Sequence, residues 1–113
     1  KEMNGVEFMA HCKKDQNIKE YLPIIEDKPR YPVFYDKNGV VLSLPPIKNS
    51  AATAISVSTK NVFIEITCTD HKRGRIVLDI LTTHLSQYSS DQFCIEQVEV
   101  EYSDGEKTVN PTL

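Results

Sequence analysis

The chain has 113 residues, 40% hydrophobic and 26% charged, a balance that suits one modest globular domain and excludes wholesale disorder. Its apolar runs fall far short of a membrane-spanning helix and no secretory signal pattern opens it, which predicts a soluble chain not exported by this segment. Thirteen basic against sixteen acidic residues leave a net charge of −3 with no dense Lys/Arg block, so the footprint of independent nucleic-acid binding is missing.

Asn4, followed by Glu7 three residues on, predicts a capping box for a first helix with Val6, Met9 and Cys12 or Phe8 on its buried side. Asp15-Gln16-Asn17 breaks it. Asn17 caps a short second helix through Glu20, Tyr21 and Leu22, which Pro23 limits. The mixed charges of EDKPR, residues 26–30, read as a solvated connection.

Residues 31–50, YPVFYDKNGVVLSLPPIKNS, organise the rest. Asn38-Gly39 between two apolar runs predicts a two-residue type I′ hairpin turn. That register sets Tyr35 opposite Leu42, Phe34 opposite Ser43 and Val33 opposite Leu44. Val33, Tyr35, Leu42 and Leu44 then share a core face, while Phe34 and Ser43 sit side by side on the other. Pro45-Pro46 ends the ladder for want of N–H groups, and the chain continues through residues 47–50 as a shaped loop.

Residues 54–58, AISVS, suggest a short strand, and residues 62–67, VFIEIT, an interior one. Glu65 and Thr67 project from the same face of the latter. A buried carboxylate must be paired or hydrogen-bonded; an ion pair, a water-facing edge or a functional role would each account for Glu65. Thr69 or Asp70 caps a long helix whose Val77, Leu78, Leu81, Leu85 and Tyr88 form a buried stripe, ending near Ser89-Ser90. His71 and His84 lack metal-spaced or nucleophilic partners and read as packing or surface residues. Residues 92–102 begin a final strand, with Val98, Val100 and Tyr102 inward and a bulge near Glu96 to reconcile Phe93 and Ile95 with them. Asp104-Gly105 signals a second tight hairpin.

These elements predict an α+β fold: a mainly antiparallel, mixed sheet with one long helix and short N-terminal helices packed on it, the whole chain 1–113 forming a single domain fragment. The strands on either side of the long helix would be parallel neighbours of one crossover unit. Phe34, Ser43, Glu65 and Thr67 would line one concavity beside the Pro45-Pro46 loop, with Asn49 a further loop contact, an apolar wall with a few polar groups. Cys12, Cys68 and Cys94 are odd in number and lack a CxxC, which suggests neither a disulfide framework nor a metal site and fits a reducing cytoplasm. There is no GxSxG, HExxH or phosphate-binding glycine loop, so amino-acid activation is not expected of this segment and no catalytic side chain is assigned.

The run from residue 31 to residue 50, the TKNVFIEITCTD of residues 59–70, the KEYLPIIEDKP of residues 19–29 and the closing Asn110-Pro111-Thr112-Leu113 resemble the archaeal and eukaryotic type of phenylalanyl-tRNA synthetase beta subunit. The likeness falls in the C-terminal portion of its B3/B4 domain. The resemblance implies an editing role: hydrolysis of tyrosine wrongly esterified to tRNA(Phe), with aminoacylation performed elsewhere. An apolar phenylalanine pocket rejects one added hydroxyl weakly, so a second site must read that hydroxyl.

The resemblance places the editing pocket at Phe34, Ser43, Glu65 and Thr67, with Pro45, Pro46 and Asn49 as loop contacts and no metal or cofactor in this domain. It also implies ATP and Mg for the parent synthetase, an alpha-subunit partner in an alpha2-beta2 heterotetramer, and contact with tRNA(Phe) through the full-length enzyme. Lys48 stands where the family usually has an apolar residue. A non-catalytic amino-acid-binding module and a structural interaction module are the alternative readings.

Overall fold

In the computed structural model, which describes residues 2–112, the chain is α+β and every strand pair among the described residues is antiparallel. It forms two compact units, one ending at Asn61 and the other beginning at Val62.

In the first unit, Asn4 caps helix α1 (Gly5–Cys12) with both halves of the expected box: Glu7 N–H donates to Asn4 Oδ1 at 2.9 Å, and Asn4 N–H to Glu7 Oε2 at 3.1 Å. Met9 and Cys12 are buried and Phe8 partly so, but Val6 is 71% exposed. Lys19–Tyr21 makes only a 3-10 turn, with no side-chain cap. Pro23 then opens helix α2 (Pro23–Glu26) instead of limiting a helix before it. Its fixed φ and missing N–H suit the first helical position, where no intrahelical acceptor exists. Met9, Cys12, Leu22, Ile25, Leu44 and Ile47 form the core, with Ile18, Tyr31 and Val33 packed against it.

Strands β1 (Phe34–Tyr35), β2 (Val41–Leu44) and β3 (Lys48–Asn49) form one sheet in that order. The turn differs from the expected I′ form. Gly39 has φ +80° and Asn38 is not in the positive-φ region; Gly39 N–H donates to Asp36 O at 3.0 Å, and Asp36 Oδ1 takes the amides of Asn38 and Val40, both at 2.8 Å. This is a type I turn closed by a left-handed glycine, a three-residue loop. Asp36 explains the choice, since a short carboxylate that captures amides two and four residues on favours the type I bend.

The longer loop pairs Tyr35 with Val41, not Leu42, and leaves Tyr35 59% exposed; the register then shifts so that Phe34 still faces Ser43. Leu42 is the extra residue. After β2 the double proline turns the chain rather than ending the sheet. The Pro45-Pro46 peptide is cis and Ile47 N–H donates to Leu44 O at 2.8 Å, a turn with a cis proline at its third position. Lys48 and Asn49 return along β2 opposite Leu44 and Ser43.

In the second unit, Asp70 caps helix α3 (His71–Ser86) by accepting the Arg73 amide at 3.1 Å. The helix stops at Ser86, short of Ser89-Ser90. Its apolar stripe is not buried: Val77 is 51% exposed, Tyr88 beyond the helix end 77%, and Leu81 and Leu85 are also exposed. The buried helical residues are instead Gly74 and Ser86. The polar side is tethered, Asp79 to Thr112 and the Ser86 carbonyl to the Phe93 amide, so the apolar arc faces away from those contacts.

Strands β4 (Val98–Glu101) and β5 (Lys107–Asn110) make a hairpin in which Val98 pairs with Asn110 and Glu101 with Lys107. Its turn repeats the first: Gly105 has φ +87° and donates to Tyr102 O at 2.9 Å. No bulge is needed at Glu96. Phe93, at φ +62°, and the Cys94 N–H to Asp91 O bond turn the chain before the strand begins at Val98. Residues 54–58 and 62–67 are not strands; the former closes a turn through Thr59 N–H to Ser56 O, and the latter has no ladder partner among the described residues. The expected parallel crossover is therefore not formed. β-branched composition favours a pleated surface only where a neighbouring strand supplies the hydrogen bonds.

Candidate functional site

The three-stranded sheet sets one cross-strand row, Phe34, Ser43 and Asn49, with Ser43 in the middle. Residues directly opposite one another in antiparallel strands project from the same face. Phe34 is 44% exposed and Asn49 is exposed, while Ser43 is only 4% exposed. The Ser43 hydroxyl is buried with no hydrogen-bond partner, a condition that ordinarily costs about 1–3 kcal/mol and is rare in folded proteins. The row thus joins an apolar ring, an unanswered hydroxyl and a carboxamide. Pro45 and Pro46, both half-buried, form the turn that brings Asn49 into it. Asn49 therefore belongs to a strand, not to a loop as expected.

Glu65 and Thr67 lie in the other unit, in the irregular segment ahead of α3. Glu65 is half-buried and Thr67 exposed. Among the described residues the Glu65 carboxylate has neither a hydrogen bond nor a salt bridge; all five ion pairs involve other groups. The structure therefore joins Phe34 to Ser43 by strand pairing and carries Glu65 and Thr67 on one short stretch of the second unit.

Of the ionisable groups, burial pushes the Cys12 thiol up, with Lys48 opposing. The Asp91 carboxylate, accepting from the Cys94 thiol, raises that thiol too. Hydrogen bonds from Thr112 hold Asp79 below the usual carboxylate range. None of these groups is in the row. Among the described residues no cluster of His, Cys, Asp and Glu could hold a metal ion. Two features escaped the sequence reading. The Thr108 hydroxyl in β5 is buried without a partner, which alternation along a strand does not reveal. A recess beside Lys28 and Arg30 is formed by residues far apart in the chain.

The pattern of the B3/4 domain family matches residues 3–93. The chain belongs to that family. The B3/4 chain is 49% identical over 113 residues to the phenylalanine–tRNA ligase beta subunit of Homo sapiens. It is 50% identical over 114 residues to that of Caenorhabditis elegans. It is also 45% identical over 113 residues to the Arabidopsis thaliana protein, whose name adds "cytoplasmic". Each alignment covers 100% of this chain and 19% of the relative; the chain spans about a fifth of the length of these curated relatives. No described helix is long and apolar enough to cross a membrane.

Proposed function

We propose that this B3/4 chain is part of a phenylalanine–tRNA ligase beta subunit and contributes to an editing site that releases tyrosine from mischarged tRNA(Phe) by ester hydrolysis. The observation that carries the reading is the buried, unpartnered Ser43 hydroxyl beside Phe34. A buried hydroxyl without a partner in a formed sheet calls for one, and an ordered water or a ligand group would supply it. The relatives' names supply the tRNA and the amino acid.

In this reading Phe34 packs on the amino-acid ring, and Ser43 and Thr67, with the backbone from Pro46 to Asn49, hold the ester end or order the attacking water. Glu65 accepts the tyrosyl phenol hydrogen bond. Phenylalanine cannot make that bond, and a hydrogen bond to a charged acceptor is worth about 1.5–3 kcal/mol, roughly a ten- to hundredfold preference. No side chain is assigned as general base. Aminoacylation, with its ATP and Mg, belongs to other parts of the assembly, including an alpha subunit in an alpha2-beta2 heterotetramer in the cytoplasm.

The test is tyrosine release from tyrosyl-tRNA(Phe) by the full-length heterotetramer carrying Glu65→Ala or Ser43→Ala, with phenylalanyl-tRNA(Phe) as control. Selective loss of tyrosine release with phenylalanylation intact is expected. Unchanged release in both variants overturns the assignment, and saturable tyrosine binding without release would leave a binding module.

A further inference from the structure

A recess of about 430 Å³ lies in the first unit, walled by residues 4–6 at the start of α1 and residues 28–31 of the following loop. Its lining includes two cationic residues, Lys28 and Arg30, together with Tyr31. Tyr31 comes close to the start of α1 because the facing residue is Gly5: a Cβ there would lie 2.8 Å from a Tyr31 ring carbon. Lys28 is shared with Asp27, its Nζ 3.1 Å from the carboxylate, whereas Arg30 makes no ion pair among the described residues. Arg30 is also exposed, so its guanidinium is free to meet an incoming anion. A free guanidinium presents a planar fork that matches phosphate oxygens two at a time, and a nearby ammonium adds charge without demanding geometry.

We infer that this recess seats a backbone phosphate of an RNA strand, with Arg30 as the forked partner and Lys28 as the second charge. The inference rests on the reading that the chain serves a tRNA ligase. It reconciles that reading with a net charge of −3: a domain without a basic face can still contribute one positioned phosphate contact to a larger tRNA-binding surface. Asp27 then competes with the phosphate for Lys28.

The experiment measures binding of uncharged tRNA(Phe) to the full-length heterotetramer over a salt series. Arg30→Ala is expected to weaken binding severalfold and to lower the slope of log affinity against log salt by about 1, the signature of one lost phosphate contact. Asp27→Asn is expected to tighten binding. That gain would not follow if the loop were only structural. Unchanged affinity and slope in Arg30→Ala and in the Lys28→Ala/Arg30→Ala double variant overturn the inference. A parallel titration with inorganic phosphate separates the sources: saturable phosphate binding lost in Arg30→Ala, with tRNA affinity unchanged, overturns RNA as the occupant. Uncharged tRNA carries no ester to edit, so these outcomes are independent of tyrosine release by Glu65→Ala.

Discussion

The carboxylate of Asp79, midway along α3, accepts both the amide and the hydroxyl of Thr112, at 3.0 and 2.6 Å, across 33 residues of chain. These bonds hold the carboxyl below its usual range, the hydroxyl contributing more than the amide and Arg75 adding a smaller effect. A carboxylate whose folded pKa is depressed contributes stability above its unfolded pKa and loses it as pH falls through the folded value. The tether is therefore expected to persist through ordinary acidic buffers and to release only below the normal carboxylate range. Asp79→Ala, which removes both acceptor oxygens, should release it at neutral pH. Amide exchange at Thr112 reads both: fast exchange in the variant at pH 7 is expected, and wild-type protection there would show that the tether is dispensable.

Ser43→Ala removes a buried hydroxyl that has no partner and leaves the β2 backbone pairing in place. Stability should hold or rise by about 1 kcal/mol, while tyrosine release falls. Denaturant unfolding of the 113-residue chain measures the first. A loss of more than about 1 kcal/mol would mean that the hydroxyl is satisfied in the folded protein.

Gly74 lies in the first turns of α3 against the Cys68 side chain, and a Cβ at Gly74 would collide with Cys68 Sγ. Alanine in a helix is otherwise favoured over glycine by about 1 kcal/mol. Gly74→Ala alone should therefore gain little or destabilise. In a Cys68→Ala background it should recover the helix preference, a coupling that a double-mutant cycle reads directly. Additive effects would show that the contact is absent.

The three thiols should separate by reactivity. Cys12 is buried, and burial raises its pKa; Cys94 is exposed but is held protonated by its bond to Asp91 and by the Asp91 charge. Since the thiolate is the nucleophile, alkylation of Cys94 should need a higher pH than an ordinary thiol, and Asp91→Asn should shift its rate profile to lower pH. Cys12 should label only on unfolding. Peptide mapping after timed alkylation resolves all three, and a Cys94 profile unmoved by Asp91→Asn would exclude the bond.

The pairing of Phe34 with Ser43 was legible in the sequence, though by a route the structure corrects. Asp36 lengthens the turn by one residue and the extra Leu42 restores the offset, so two departures from the expected register cancel at the one pair that matters. Two of the three expected caps were legible because they are local: Asn4 with Glu7, and Asp70, each act within three residues, whereas Asn17 caps nothing. Some local readings failed where a near neighbour competed, as Asp36 does at the turn and Pro23 does by opening α2; the larger failures depended on partners distant in the chain. Residues 62–67 have strand composition but no neighbouring strand, and the apolar stripe of α3 has helical spacing but no covering surface in its unit. Periodicity states which face is apolar; it does not state what meets it. The row's third member, Asn49, depended on the path taken after Pro45-Pro46, a conformational choice that missing N–H groups alone do not decide. The α+β class survived because it needs only element types. The B3/4 resemblance survived because the likeness runs the whole length of the chain.

Gly39 and Gly105 both sit at positive φ, each closing the hairpin of a different unit. Left-handed backbone strains an L-residue and suits its mirror image. A D-alanine introduced by chemical ligation would stiffen either hairpin mainly by narrowing what the unfolded chain explores. Handedness at two single atoms thus offers a way to tune the sheet that bears Ser43 independently of the hairpin that follows α3, with every natural side chain left in place.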